Sequence, residues 1–331
     1  MSATSMDVKG LDLGTSRIVL ATLTGEEVNF NPQLNAFVDL PYSRMTEQML
    51  AREHILYLVE GSHIYAYGNR SDEFAKFLDS DARRPMCGGL LNPTEPKNVL
   101  MIELLLEQLC GKASGDEKLC LSVPSAPLDR ASDLIFHQRS VQAICERLGY
   151  RAKTINEGLA VVYSELKDAN FTGIGMSFGG GMCNICVAYL GLPVLTLATS
   201  RAGDYIDQSS ASVTGETPTT VRLYKENGFI LDSDAVGSID RALSVYYLDV
   251  IESAVTGLEN AMAESKKLPS FPRPIPVVCA GGTTMVRNFL PRLKASFEGA
   301  DLPIRISDVY LAKDPLNTTA RGALVGALLN M

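Results

Sequence analysis

The sequence predicts a two-part α/β fold in which both halves begin in the same way. Its 331 residues are enough for about two domains of ordinary size. Strand-like and helix-like patterns alternate along the chain. A strand, a glycine turn and a second strand occupy residues 8–20, and the same unit recurs from Thr172 onward. The sequence therefore predicts two similar halves, each opened by the same strand–turn–strand unit.

Hydrophobic periodicity predicts the elements of the first half in order. Glycine, proline and changes of period mark where one element ends and the next begins. The predicted elements are a hairpin at 6–25, a loop and strand at 31–41, two strands within 55–67, a short helix at 72–77, an irregular segment at 81–92, a helix at 95–109, a strand at 117–124, a helix at 129–148, a strand at 152–155 and a helix at 157–166.

The second half has the same alternation with longer helices. Pro218 fits the first turn of a helix, where its missing N–H costs nothing. The predicted elements are strands at 173–178, 183–189 and 194–200, helices at 205–213, 217–226 and 238–266, a strand at 274–280, a helix at 285–297, a strand at 304–310 and a helix at 317–329.

The composition is that of a globular protein with an acidic charge balance. Hydrophobic residues make up 46% of the chain, charged residues 21%, and the net charge is −8. This balance disfavours a general nucleic-acid surface, so we expect no nucleic-acid partner. No apolar run approaches the roughly 18 residues of a spanning helix. Together with a polar N-terminus, this predicts a cytoplasmic protein without direct membrane contact.

The cysteines favour a reducing compartment. There are seven, an odd number, and most lie in apolar stretches. Cys183 and Cys186 have C-x-x-C spacing, but they fall in a predicted strand, where residues three apart point to opposite faces. We therefore expect no metal or redox site at this pair.

Five short stretches have the composition of phosphate or nucleoside contacts. Glycine lets the backbone approach a ligand closely, and successive N–H groups can form an anion-binding concavity. Each stretch also has a purely structural explanation, since glycine turns are common and a glutamate in a first helical turn favours the helix dipole. The stretches are residues 12–16, 156–160, 177–181, 280–284 and 314–323.

The order of these five stretches resembles the actin-like ATPase superfamily and, within it, bacterial MreB-type actins. Further similar stretches, at 31–32, 84–86, 122–125 and 203–207, extend the resemblance over almost the whole chain. It implies an actin-like (ribonuclease H-like) α/β fold, with two similar domains around a nucleotide cleft. Domain I would comprise 1–156 plus 312–331, with a small insertion at about 26–85, and domain II would comprise 157–311.

The resemblance also implies how ATP or ADP would be held. Two turns would donate to the phosphates from opposite domains, and three further segments would contact the nucleoside. Ala320 and Gly322 match the small residues of the interdomain hinge. The implied phosphate contacts are Gly14, Thr15 and Ser16 on one side and Gly179, Gly180 and Gly181 on the other; the implied nucleoside contacts are Gly203, Asp204, Arg222, Gly281, Gly282 and Thr283.

Two carboxylates match the catalytic positions of the superfamily. Asp12 would hold Mg²⁺ through water, and Glu157 would orient the attacking water. The chain departs from the pattern at Ser177, where the family has a second Asp near the metal, and at Asn184, where it has an acidic residue. Ser177 thus offers a hydroxyl, in place of a carboxylate, as a metal ligand. We expect Mg²⁺-dependent ATP hydrolysis to be slow, and hydrolysis itself stays open.

Three functions fit these residues. The leading prediction is a filament-forming cytoskeletal protein that binds ATP and assembles head to tail with itself. A monomeric nucleotide-binding regulator with cytosolic protein partners is the alternative, and a small-molecule kinase is a third. The fold alone does not discriminate among them.

Overall fold

The structure, a computed structural model, describes residues 8–71, 73–74, 82–232, 237–266 and 268–329. It is built on two five-stranded sheets and two small ones. The strands in chain order are β1 (Val8–Leu13), β2 (Arg17–Thr24), β3 (Glu27–Leu34), β4 (Phe37–Pro41), β5 (Leu56–Glu60), β6 (His63–Tyr67), β7 (Met86–Cys87), β8 (Leu90–Leu91), β9 (Lys118–Val123), β10 (Arg151–Asn156), β11 (Gly173–Phe178), β12 (Cys183–Tyr189), β13 (Leu192–Thr199), β14 (Ile275–Ala280) and β15 (Ile306–Leu311).

The two large sheets have the same topology. Their strand orders are β10-β9-β1-β2-β3 in the first half and β13-β12-β11-β14-β15 in the second. In each, the opening strand pairs antiparallel with the next strand and parallel with a later one. The prediction of two similar α/β halves is therefore confirmed at the level of strand pairing.

Helices cover the sheets on both sides. Their apolar faces repeat at helical spacing and pack into the sheets. They are α1 (Arg44–Arg52), α2 (Asn98–Cys110), α3 (Leu134–Arg147), α4 (Glu157–Glu165), α5 (Gly203–Thr214), α6 (Pro218–Glu226), α7 (Ser238–Glu264), α8 (Phe289–Gly299) and α9 (Thr318–Leu328), with short 3₁₀ turns at Lys167–Ala169 and Gly282–Met285.

Each large sheet has its own apolar core. In the first half, Leu105 and Ile144 from α2 and α3 pack with Leu11 of the central strand. In the second half, Tyr247 of α7 and Leu293 of α8 pack with strands of the second sheet. The β4-β6-β5 sheet and α1 form a separate small cluster around Leu50, inside the segment predicted as an insertion.

A third core lies between the halves, where α4 packs against α9. Ala160 and Ala323 are fully buried there. Gly322 lies so close to α4 that a Cβ on it would sit 1.7 Å from the carbonyl oxygen of Ala160. A Cβ on Gly10 of β1 would likewise lie 2.2 Å from the backbone nitrogen of Leu324. The two helices and the first sheet therefore contact each other through backbone.

Most predicted elements are present, with five main differences. Strand β3 (Glu27–Leu34) was not predicted as a separate strand, since a loop and one strand were expected at 31–41. Helix α1 and the β7–β8 hairpin were not predicted. The helix predicted from Asp129 begins at Leu134, because the preceding residues pair with β13: the N–H of Leu128 donates to the carbonyl of Ala198 at 2.9 Å. The helix predicted from Met285 begins at Phe289, after the 3₁₀ turn. Most of the predicted helix at 72–77 lies outside the described residues.

Cys183 and Cys186 are free, buried thiols in β12. Across the described ranges, no helix is both long and apolar enough to cross a membrane.

Candidate functional site

The first turn (residues 12–16) joins β1 to β2. Leu13 lies opposite Ile18 in the ladder, and the N–H of Gly14 donates to the carbonyl of Arg17 at 3.0 Å, which closes a tight turn. Thr15 is almost fully buried, and its Oγ1 accepts a hydrogen bond of 3.0 Å from the N–H of Gly89. The turn is thus held against the β7–β8 hairpin.

The second turn (residues 177–181) joins β11 to β12 in the same way. The N–H of Gly179 donates to the carbonyl of Met182 at 3.0 Å. The N–H groups of Gly203 and Asp204 donate to the carbonyls of Gly179 and Gly180 at 3.1 and 2.7 Å, so α5 begins directly on the turn. A helix N-terminus favours negative charge, which suits this end of α5 to a phosphate.

The two turns face each other across a cleft of about 620 Å³ between the halves. Small-molecule sites commonly have volumes of about 300–1,000 Å³. With one exception, the structure brings every predicted site residue to this cleft. The lining includes Asp12, Gly14, Thr15, Ser16, Glu157, Ser177, Gly179, Gly180, Gly203, Asp204, Arg222, Gly281, Gly282 and Thr283.

Gly181 is the exception. A Cβ on Gly181 would lie 2.1 Å from the nitrogen of Gly89 and 2.4 Å from Oγ1 of Thr15. This glycine therefore permits close contact between the second turn and the first half, and it does not line the cleft.

The two predicted catalytic carboxylates lie in the same cleft. Asp12 accepts a hydrogen bond from the hydroxyl of Ser122 at 2.7 Å. Glu157 opens α4 behind the N-cap Asn156, whose side chain accepts from the N–H of Leu159. Burial raises the pKa of Asp12, against the opposing effect of the Ser122 hydrogen bond. Burial, and secondarily the charge of Asp12, raises the pKa of Glu157.

The side chains of Ser177 and Asn184, the two positions where the chain departs from the family pattern, both donate hydrogen bonds to Glu157. Asn184 Nδ2 donates to Oε2 of Glu157 at 2.9 Å, and the Ser177 hydroxyl lies 3.4 Å from the same oxygen. Asn184 Oδ1 accepts from the N–H of Ser125 at 2.8 Å, which fixes the amide orientation. Neutral donors thus surround a carboxylate where acidic residues would repel it.

The far end of the cleft is shaped by backbone. Gly281 has φ +99°, and a Cβ there would lie 2.2 Å from the carbonyl oxygen of Phe178, so only glycine fits. Its N–H donates to the carbonyl of Pro315 at 2.8 Å. The hydroxyl of Thr283 donates to the carbonyl of Gly179 at 2.9 Å, which links this end to the second turn.

Sequence reasoning missed an ion pair at the same end. Lys225 Nζ lies 2.6 Å from Asp207 Oδ1, and both side chains are close to fully buried yet line the cleft beside Arg222. Burial raises the pKa of Asp207 in spite of the ammonium beside it. The sequence held a signal for this ion pair, because residues three apart are neighbours on a helix surface. Lys225 follows the predicted site residue Arg222 by three positions, and Asp207 follows the predicted site residue Asp204 by three.

A second missed residue is Arg84. Its Nη1 donates to Oδ1 of Asp204 at 2.9 Å. Arg84 belongs to the first half and Asp204, which lines the cleft, to the second, so this ion pair links the two halves beside the cleft.

Comparison with known proteins places this chain in a family. No curated protein matches the chain. A family profile described as Volactin matches residues 6–327. The chain belongs to the volactin family.

Solved structures show that this volactin-family chain has the predicted actin-like fold. A structure titled MamK double helical filament matches with a TM-score of 0.75 and 17% identity, covering 97% of this chain and 98% of that one. MreB5 of Spiroplasma citri bound to AMPPNP matches with a TM-score of 0.63 and 13% identity, covering 99% and 98%. The ethanolamine utilization protein EutJ from Carboxydothermus hydrogenoformans matches at 0.54 and 15%, covering 98% and 92%.

Proposed function

We propose that this protein binds ATP in the cleft, assembles head to tail into cytoskeletal filaments, and hydrolyses ATP slowly. The observation that carries the proposal is the pair of glycine turns facing each other across one cleft, with the Gly281 backbone at its far end. Backbone N–H groups on both walls and the N-terminus of α5 on one of them suit a polyphosphate, and the glycine-walled far end suits a flat base.

The residues of the cleft have distinct roles in this proposal. Gly14, Thr15 and Ser16 bind the phosphates from one half, and Gly179 and Gly180 bind them from the other. Gly203, Asp204, Arg222, Gly281, Gly282 and Thr283 surround the nucleoside. Glu157, held by Asn184, orients the attacking water, and its raised pKa suits it to accept a proton.

The donor set fits Mg²⁺. Hard cations prefer oxygen ligands, and a cation would offset the desolvation that raises the pKa values of Asp12 and Glu157. Among the described residues no cluster of three His, Cys, Asp or Glu side chains could hold a metal, so phosphate oxygens would have to complete the coordination. Asp12 would hold the ion through water, and Mg²⁺ would neutralise phosphate charge. Ser177 contributes no carboxylate, which supports slow hydrolysis.

The proposal of filament formation is based on the proteins that share the fold. MamK was solved as a double helical filament, and MreB5 was solved with AMPPNP and with ADP. A head-to-tail contact that does not close into a ring generates a filament. Nucleotide bound between the halves would favour one relative orientation and thereby assembly. Cytoplasmic localisation and cytosolic protein partners belong to the same proposal.

Sedimentation and negative-stain microscopy with ATP and Mg²⁺, ADP and Mg²⁺, or no nucleotide test the proposal. We expect filaments with ATP and fewer with ADP. Gly180→Asp places a carboxylate in the second turn and should abolish ATP-dependent pelleting. Gly115→Asp adds the same charge in an exposed loop where a Cβ meets nothing, and should pellet like the wild type.

One outcome would favour the alternative function. Tight ATP binding without any pellet or filament at high protein concentration would contradict the cytoskeletal proposal and support a monomeric nucleotide-binding regulator. The absence of ATP binding would contradict both.

A further inference from the structure

Asn35 lies directly behind the first turn, in the link between β3 and β4. It is fully buried and does not line the cleft. Its backbone N–H donates to the carbonyl of Ser16 at 3.0 Å, and its side-chain Nδ2 donates to the carbonyl of Gly14 at 2.9 Å. One residue therefore binds two of the three carbonyl groups of the Gly14–Thr15–Ser16 run.

These two hydrogen bonds set the direction of the turn's N–H groups. In a planar trans peptide the C=O and the following N–H point in opposite directions. Because Asn35 holds the carbonyls of Gly14 and Ser16 from behind, the N–H groups of Thr15 and Arg17 point away from Asn35. Both of these residues line the cleft. The Gly14 N–H is already bound to the Arg17 carbonyl, so the remaining shape of the turn is also fixed.

We propose that Asn35 is the positioning residue of the first turn, which orients the turn's N–H groups toward the phosphates of the bound nucleotide. The inference rests on the proposed nucleotide site. Asn35 touches no ligand itself; it acts through the carbonyls of Gly14 and Ser16.

The amide oxygen of Asn35 supports the positioning role of this residue. Its Oδ1 is buried and has no hydrogen-bond partner among the described residues. A buried, unpaired acceptor destabilises the folded state. A small apolar residue would avoid that cost, so the Nδ2 donor to Gly14 is the contact that explains an asparagine at this position.

Asn35→Ala removes the donor and leaves the backbone bond to Ser16. Loss of one well-oriented hydrogen bond should weaken ATP binding by about tenfold. Binding of AMP, which lacks the β- and γ-phosphates, should stay within about twofold of wild type. Isothermal titration with ATP and with AMP measures the split, and thermal unfolding checks the fold.

Asn69→Ala is the matched control. Asn69 also clamps backbone near the end of β3, since its Oδ1 accepts from the N–H of Leu34 at 2.6 Å and its Nδ2 donates to the carbonyl of Pro32 at 3.2 Å. It does not contact the first turn. Asn69→Ala should leave the ratio of ATP to AMP affinity unchanged.

Asn35→Asp provides a second, nearly isosteric test. Its carboxyl can donate to Gly14 only when protonated, so ATP affinity relative to wild type should be recovered at low pH and lost as pH rises. If wild-type protein binds ATP and both Asn35 variants bind it equally well at every pH, the role of Asn35 is wrong. If wild-type protein does not bind ATP, the proposed function itself fails, and this role fails with it.

Discussion

At the scale of single residues, the centre of the site is a carboxylate surrounded by neutral donors. Ser177 and Asn184 replace acidic residues of the related pattern, and both point at the same oxygen of Glu157. With Asp12 in the same cleft, acidic residues at 177 and 184 would bury up to four like charges together. Neutral donors lower that cost while keeping Glu157 fixed.

Ser177→Asp should lower the stability of the fold and raise ATP turnover. A further carboxylate beside Glu157 should lower the free energy of unfolding in the absence of Mg²⁺, because the two like charges would be buried together. With Mg²⁺, the added ligand should raise ATP turnover by about tenfold, equivalent to about 1.4 kcal/mol of barrier. Phosphate release and thermal melts measure both effects. Ser212→Asp, which adds the same charge at an exposed position of α5, is the control; equal turnover in the two variants would contradict the role of position 177.

Glu157→Gln should stabilise the nucleotide-free protein, most at alkaline pH. Burial raises the native pKa of Glu157, so the folded state loses stability as pH rises above the ordinary value of 4.5 toward the raised one. The amide removes this loss and can still accept from Asn184. Relative to wild type, the melting temperature should rise by about 2–4 °C for each kcal/mol regained at about pH 8, and by less at about pH 5. A gain that is equal at both values would refute the titration of Glu157, and ATP turnover should fall in the same variant.

At the scale of elements, the halves are joined by the contact of α4 with α9. Gly322→Ala would place a Cβ 1.7 Å from the Ala160 carbonyl, a distance that only backbone movement could relieve. We expect it to cost about 3 kcal/mol of unfolding free energy. Gly299→Ala, at the end of α8 with nothing near its Cβ, should be neutral or stabilise by about 0.5 kcal/mol. Urea denaturation of both variants measures the difference; similar midpoints would mean that the helices separate easily.

The elements also show which parts of the fold a sequence can reveal. The two turns were predictable because strand, glycine and strand are consecutive in the chain. Helix α1 was missed because it is short and mostly polar, and only Leu50 of its nine residues is buried. The β7–β8 hairpin was missed because its strands have two residues each, too short for a visible period.

The same reasoning explains what was missed in the site. Asp12 and Glu157 belong to local motifs, whereas the partners of Asn35 and Arg84 depend on tertiary contacts. Arg84 and Asp204 are 120 positions apart. Gly181 resembles its two neighbours in sequence, and only the packing of Gly89 and Thr15 against it distinguishes its role.

At the scale of the whole molecule, the halves are also joined around the cleft. Gly181 of the second half packs against Thr15 and Gly89 of the first, which are themselves hydrogen-bonded. Residues 126–128 pair with Ala198 at the edge of the second sheet. The assignment of 1–156 plus 312–331 and of 157–311 as separately moving domains stays a prediction. If they do move, the contacts across the cleft determine how readily it opens.

Arg84→Gln tests whether the Arg84–Asp204 ion pair limits opening of the cleft. The Arg84–Asp204 pair is partly exposed, so its loss should cost about 1 kcal/mol and raise the rate of nucleotide exchange about fivefold. Stopped-flow displacement of a fluorescent ADP analogue measures the rate, and small-angle scattering should show a larger radius of gyration without nucleotide. Arg147→Gln breaks an ion pair with Glu103 that joins α3 to α2 within the first half, and should change neither quantity.

Because high salt screens the Arg84–Asp204 pair, the wild-type exchange rate should approach the Arg84→Gln rate as ionic strength rises, while the rate of the variant stays constant. Parallel salt dependence in both proteins would show that the pair does not hold the cleft closed.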